Sequence, residues 1–237
     1  RKRVNFRLSA MPRNLAGKPI DPTEWNRNDG FSPGAMIVSY VPGLDLEATG
    51  AAPLTDIERS LAYDAPIQVL DAETGEPQLI WAELDANAGM LLPSMDIEAP
   101  GEARPALIVR PARNLVHGRR YVVVLRKLRD SAGELLSAGA GFQACRDNEI
   151  VGRGPVEERC AALEQDVFPV LAAAGIERDE SLYLAWDFTV ASSQNLTERL
   201  LHMRDDAFAT LGESGRPGDP DYQMGAAPKF SVDKIIE

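Results

Sequence analysis

Proline and glycine set the tightest limit on what this chain can fold into. In the first sixty residues they recur at Met11-Pro12, Ala16-Gly17, Lys18-Pro19, Asp21-Pro22, Asp29-Gly30, Ser32-Pro33-Gly34 and Pro42-Gly43. Proline lacks the amide proton a helix interior needs and glycine admits positive φ, so no long helix fits here. The spacing predicts short strands joined by ordered loops.

Strand-sized apolar runs then appear between the same punctuators: Met36 to Val41, Ile67 to Leu70, Leu79 to Glu83, Ala106 to Val109 and Tyr121 to Leu128. Their Val, Ile, Tyr and Leu content and their length match the strand signature. With no helix between them, they predict a mainly β chain built as an antiparallel sandwich. The segments Asp71 to Glu76 and Arg129 to Glu134 place Asp early and Gly late, as hairpin loops with one left-handed residue require.

Near residue 155 the period changes. Val156, Leu163, Val167, Val170 and Leu171 recur at helical spacing, Glu157, Glu158 and Glu164 lie in the first half, and Gly175 suits a C-terminal cap. A helix is expected over about 155–174, with an irregularity at Pro169. The aromatic-rich run Leu182 to Val190 is expected to return to the sheet as a central strand. A second helix is expected from about Asn195 to Leu211, with Asn195 as N-cap and Glu198 completing a capping box. Residues 229–235 are expected to begin another strand.

Composition narrows the function classes. Thirty-six acidic against 25 basic residues leave a net charge of −11, which opposes binding to a polyphosphate backbone, so nucleic acid is not an expected partner. No apolar run approaches the ~18–20 residues of a membrane span, so no transmembrane segment is expected. Neither GxGxxG nor GxxxxGK[ST] occurs, and no cofactor is expected.

The two histidines carry little chemistry by themselves. His117 sits in a turn ahead of the Tyr121 strand, and His202 lies on the second helix with Asp205 and Asp206 one turn away. A His-Asp couple is half of a hydrolytic relay, but no G-x-S-x-G elbow supplies its serine; Gly212-Glu213-Ser214-Gly215 has the wrong spacing. No catalytic residue is assigned. The loop Asp21 to Gly30 gathers oxygens that suit calcium, yet it fails the EF-hand pattern because Trp25 and Arg27 occupy ligand positions; turn-stabilising Asx side chains are the other reading. The arginines of 110–120 and 126–129 are expected on a solvated sheet face.

Cys145 lies just before the expected helical insertion and Cys160 near its start, which predicts a disulfide between them; two buried free thiols are the alternative.

The run Asn114 to Leu125, followed by Asp130-Ser131-Ala132-Gly133, resembles the late strands of bacterial Ig-like modules of the surface-layer-protein type. Trp186-Asp187-Phe188-Thr189-Val190 is similar to the Phe-Thr strand that ends such modules, displaced here by a helical insertion. The order of strands, helix, Phe-Thr strand and helix resembles the N-terminal region of large secreted or envelope-associated bacterial lipase or esterase-like proteins. That resemblance implies a loop-rich segment at 1–35, an Ig-like β-sandwich at 36–192 with a helical insertion at about 150–178, and a helix and linker at 193–237 leading toward a downstream α/β-hydrolase domain. It implies a noncatalytic accessory module, secreted or in the cell envelope, that positions or covers the catalytic domain. Two alternatives accompany it. One is the N-terminal part of a lipase or esterase that contributes to the active-site wall, with Trp25, Phe31, Trp81 and Met90 as candidate apolar lining. The other is a carbohydrate- or ligand-binding sandwich, against which an aromatic content of only 6% weighs.

Overall fold

The computed structural model of the protein describes residues 3–85, 105–149, 154–215, 217–229 and 231. The chain divides into two units, Arg1–Ser192 and Ser193–Glu237.

The first unit carries, in order, β1 (Ile37–Tyr40), a single-turn helix α1 (Leu46–Thr49), β2 (Ile67–Asp71), β3 (Ile80–Leu84), β4 (Ala106–Pro111), β5 (Arg120–Arg126), helices α2 (Ala140–Arg146), α3 (Pro155–Asp166) and α4 (Phe168–Ala173), and β6 (Leu182–Thr189). The strands form two three-stranded antiparallel sheets, ordered β1-β4-β3 and β2-β5-β6.

Strand β5 explains the second sheet. Its Tyr121, Val122, Val123, Val124 and Leu125 are all fully buried, because each of its faces meets a different layer. Ile37, Ile80, Leu107 and Val109 of the β1-β4-β3 sheet share one core with Val69, Tyr121, Val123 and Leu125. The opposite face, through Leu70, Val122, Val124, Leu182 and Ala185, packs on Leu163, Phe168 and Leu171 of the helices. Burying each such side chain removes roughly 1.5–3 kcal/mol of exposure cost. An unbroken apolar run on one strand is what burial on both faces selects.

The Asp71 turn departs from a simple hairpin. The carboxylate of Asp71 accepts from the Glu73 and Thr74 amides, Gly75 takes φ 76°, and the return begins with a bridge between Leu70 and Pro77. The chain then leaves β2, and β3 pairs with β4 in the other sheet. The Ile80 amide is taken instead by the Ser60 hydroxyl, which is buried.

Several expectations are corrected. The aromatic-rich β6 lies at an edge of its sheet, because β5 holds the centre between β2 and β6. A parallel bridge between Phe31 and Val190 covers the end of that edge, with the Phe31 amide donating to Thr189 and the Ala191 amide to Phe31. Gly30 is required there: a Cβ would lie 2.5 Å from the Ala191 nitrogen. The helix expected over 155–174 is two helices, which meet at Val167 (φ −113°, ψ −59°) because Pro169 occupies the first turn of α4, where no amide proton is needed. Helix α2 was not expected, so the helical region begins at Ala140 and not near 150. Arg126 is buried, not solvated; it donates to the carbonyls of Tyr63 and Ala65, which satisfy its fork.

The second unit contains helix α5 (Ser193–Thr210). It starts two residues before the expected Asn195, which therefore lies inside the helix. Leu196, Leu200, Met203 and Phe208 are all exposed on it. A bridge between Ser214 and Gln223 follows. Lys229 and Ser231 are irregular, and the rest of the expected 229–235 strand lies outside the described residues.

Candidate functional site

An apolar groove of about 490 Å³ opens in the first unit between the two sheets and the helices. Val38 of β1 forms one bank; Leu184 and Trp186 of β6 form the other; Phe142 of α2 and Val156 and Leu163 of α3 close it. Ala185, in the middle of β6, is 1% exposed, so the strand edge itself is covered at that point.

The helical side of the groove is fixed covalently. Cys145 of α2 and Cys160 of α3 form a disulfide with a Cα–Cα distance of 4.9 Å, and Cys145 lines the groove. Arginines reinforce the same join. Arg146 is buried, donates to the carbonyls of Glu180 and Leu182 at 3.1 and 3.2 Å, and forks onto Asp147. Arg178 donates to the carbonyls of Cys145 and Arg146, pairs with Glu164 at 2.6 Å, and stacks 3.9 Å above the Phe168 ring. Such a cation over an aromatic face adds to the packing of α4.

One charged side chain, Arg159 of α3, is found among the described residues lining the groove. It also borders a second cavity of about 350 Å³, shared with Asp29, Phe31, Asp187 and Phe188. Both carboxylates of that cavity are engaged: Asp29 accepts from the Ser192 amide and hydroxyl at 2.9 and 2.8 Å, and Asp187 lies 3.8 Å from Arg120. Arg159 itself makes no hydrogen bond or ion pair among the described residues. On β6, burial pushes the Tyr183 phenol up from its ordinary value.

The residues singled out from sequence are scattered. Trp25 lies on a 3-10 turn, Trp25–Arg27, and is exposed; Trp81 is half-buried on β3. Neither lines the two cavities. Phe31 borders the second cavity, packed edge-to-face on Phe6 and Phe188 at 6.5 Å each. Met90 lies outside the described residues. His117 and His202 are exposed and belong to different units, and Asp205, beside His202, is held by Arg204. In the 21–30 loop, Asp21 accepts from the Thr23 amide and hydroxyl, which holds its carboxyl below the ordinary range, and Asn26 ties to the backbone of Phe6. Asp21 thus serves a local turn, whereas Asn26 ties the loop to a segment 20 residues away. Among the described residues no group of three or more His, Cys, Asp or Glu is placed to hold a metal ion.

The groove residues Phe142, Arg159 and Trp186 were not found by sequence reasoning. The available signal was slight: Ala140 to Arg146 has a helical composition, but Gly139 and Gly141 mask it. Comparison with protein-family models, curated proteins and solved structures found no match.

Proposed function

We propose that this chain is a noncatalytic Ig-like β-sandwich module of a larger secreted or envelope-associated bacterial hydrolase, positioning or covering the catalytic domain. The observation that carries the reading is the outer face of the β1-β4-β3 sheet. Met36, Val38 and Tyr40 are 53, 55 and 49% exposed there, next to half-buried Ile108 and Trp81. Contiguous exposed apolar surface of this kind marks a place of contact with another protein surface.

Two further features support the reading. Tyr121, at the start of β5, is fully buried and its hydroxyl accepts from the Val116 amide five residues upstream, as the tyrosine corner of Ig-like sandwiches does with its own upstream backbone. The buried disulfide suits an oxidising compartment. The hydrolase partner itself comes from the resemblance of the order of strands, helix, Phe-Thr strand and helix to the N-terminal region of lipase or esterase-like proteins.

Treating the chain with a fluorophosphonate probe beside a short-chain ester assay is the decisive experiment. No labelling and no turnover are expected; stoichiometric labelling of a serine would overturn the noncatalytic reading. In the full-length protein, the double variant Met36→Lys, Tyr40→Lys, at two residues of this face that do not line the groove, should loosen the module from its catalytic domain, seen as faster proteolytic separation of the two. An unchanged rate would remove this face from the contact.

A further inference from the structure

We propose that the groove between β1, β6, α2 and α3 is a binding site for an unbranched alkyl carboxylate, its chain lying along Phe142, Val156, Leu184 and Trp186 and its head group held by Arg159. The inference goes beyond the accessory function and does not depend on it.

Three observations carry it. First, the groove has the size and chemistry of a small-molecule site, since such sites are typically ~300–1,000 Å³, mostly apolar, with few polar groups that fix orientation. Second, its single charge is a guanidinium with no protein counter-ion among the described residues, in a chain whose net charge is −11. Local charge complementarity therefore selects an anion, and the planar fork of arginine matches a carboxylate in a bidentate pair. Third, the wall is preformed, because the Cys145–Cys160 bridge fixes α2 to α3.

The same geometry argues against the other obvious occupant, an added peptide strand. Strand addition needs an open row of backbone donors and acceptors, whereas Ala185 is covered and the far end of the β6 edge is already bridged by Phe31. An alkyl chain asks for no backbone partner.

The test uses the full 237-residue chain with its disulfide intact. Decanoate is titrated by calorimetry and by tryptophan fluorescence, beside decanol, decyltrimethylammonium and acetate. Decanoate should bind saturably at one site and shift a fluorescence signal that Trp186→Phe removes; acetate and the cationic amphiphile should not compete. Arg159→Gln should weaken decanoate about tenfold, the scale of a charge-assisted pair, while decanol is unaffected. Gly141→Leu should block both ligands, since a Cβ at Gly141 meets no atom within 4 Å and the larger side chain fills open groove. A urea midpoint for each variant at or above that of the parent chain establishes that the loss is local. The proposal is overturned by absent saturable heat with decanoate, by equal binding of the cationic amphiphile, or by unchanged binding in Gly141→Leu. It is equally overturned if the groove ignores decanoate and a photo-reactive group at position 141 cross-links a polypeptide instead.

Discussion

Strands β5 and β1 are both apolar on both faces in sequence, yet only one of them is buried on both. Tyr121 to Leu125 are fully buried, whereas β1 buries Ile37 and leaves Val38 and Tyr40 about half exposed. The cause lies outside the strands. Helices α2, α3 and α4 cover the outer face of the β2-β5-β6 sheet, while apolar side chains of the β1-β4-β3 sheet are exposed on the equivalent face. An apolar strand thus does not by itself tell how many of its faces are covered: among the described residues, the helices bury the second face of β5, while that of β1 stays about half exposed.

The sharpest way to break this comparison is to truncate equivalent positions in the two sheets. Leu125→Ala, in the doubly covered sheet, should destabilise the chain by about 2–5 kcal/mol in urea unfolding, the range for a buried large-to-small change. If its cost matched that of a surface change, β5 would not be the centre of the core. Next in size is the covalent link that holds the helical cover. Cys160→Ser should cost about 3 kcal/mol, from the loop entropy of a 15-residue separation, and should also widen the accessibility of α2 in hydrogen exchange. Equal urea midpoints for the oxidised and reduced protein would contradict it.

A smaller effect separates the sheets by pH. Burial raises the Asp71 carboxyl, but the bond from Arg119 at 2.7 Å and the amides of Glu73 and Thr74 outweigh it, so the group titrates below its ordinary 3.8. A depressed folded value means that the stabilisation is complete above about pH 4 and is lost as pH falls through the folded-state value. Asp71→Asn should therefore cost about 1 kcal/mol at neutral pH, the scale of one hydrogen bond, and the difference from the parent should shrink below pH 4. A difference that stays constant from pH 7 to pH 2 would show that the charge of Asp71 plays no part. The smallest effect belongs to the open face: Tyr40→Ser should change stability by no more than about 0.5 kcal/mol. A loss several times larger would mean that the face is already packed within this chain.

How much of this was legible in the sequence depended on whether a residue's neighbours are close along the chain. The apolar runs of β1, β2, β4 and β5 were readable because alternation and turn residues are local signals. The edge position of β6 was not, because aromatic content reports burial and not strand order. Helix α2 was hidden by Gly139, which is its N-cap, and by Gly141 inside it, whose low helix propensity is overridden by the packing of Phe142 and Cys145 onto the neighbouring helices. Arg126 looked like a surface charge because nothing nearby in sequence announces the carbonyls of Tyr63 and Ala65. The groove was the least legible feature, since Val38, Phe142, Arg159 and Trp186 come from four elements and meet only in the fold.

The clasp at the edge of β6 has a consequence for how the protein is made. Asp29 and Ser192 are joined by two hydrogen bonds although 163 residues separate them. At ribosomal rates of about 5–20 residues per second, the partner of Asp29 emerges on the order of ten to thirty seconds later. During that interval Phe6 and Phe31 have no β6 to rest on. The dense prolines and glycines of this stretch then act as a safeguard, because a segment that cannot present continuous strand donors is a poor template for premature pairing with a neighbouring nascent chain. Completion of the sheet edge is thereby reserved for the moment at which residue 192 arrives.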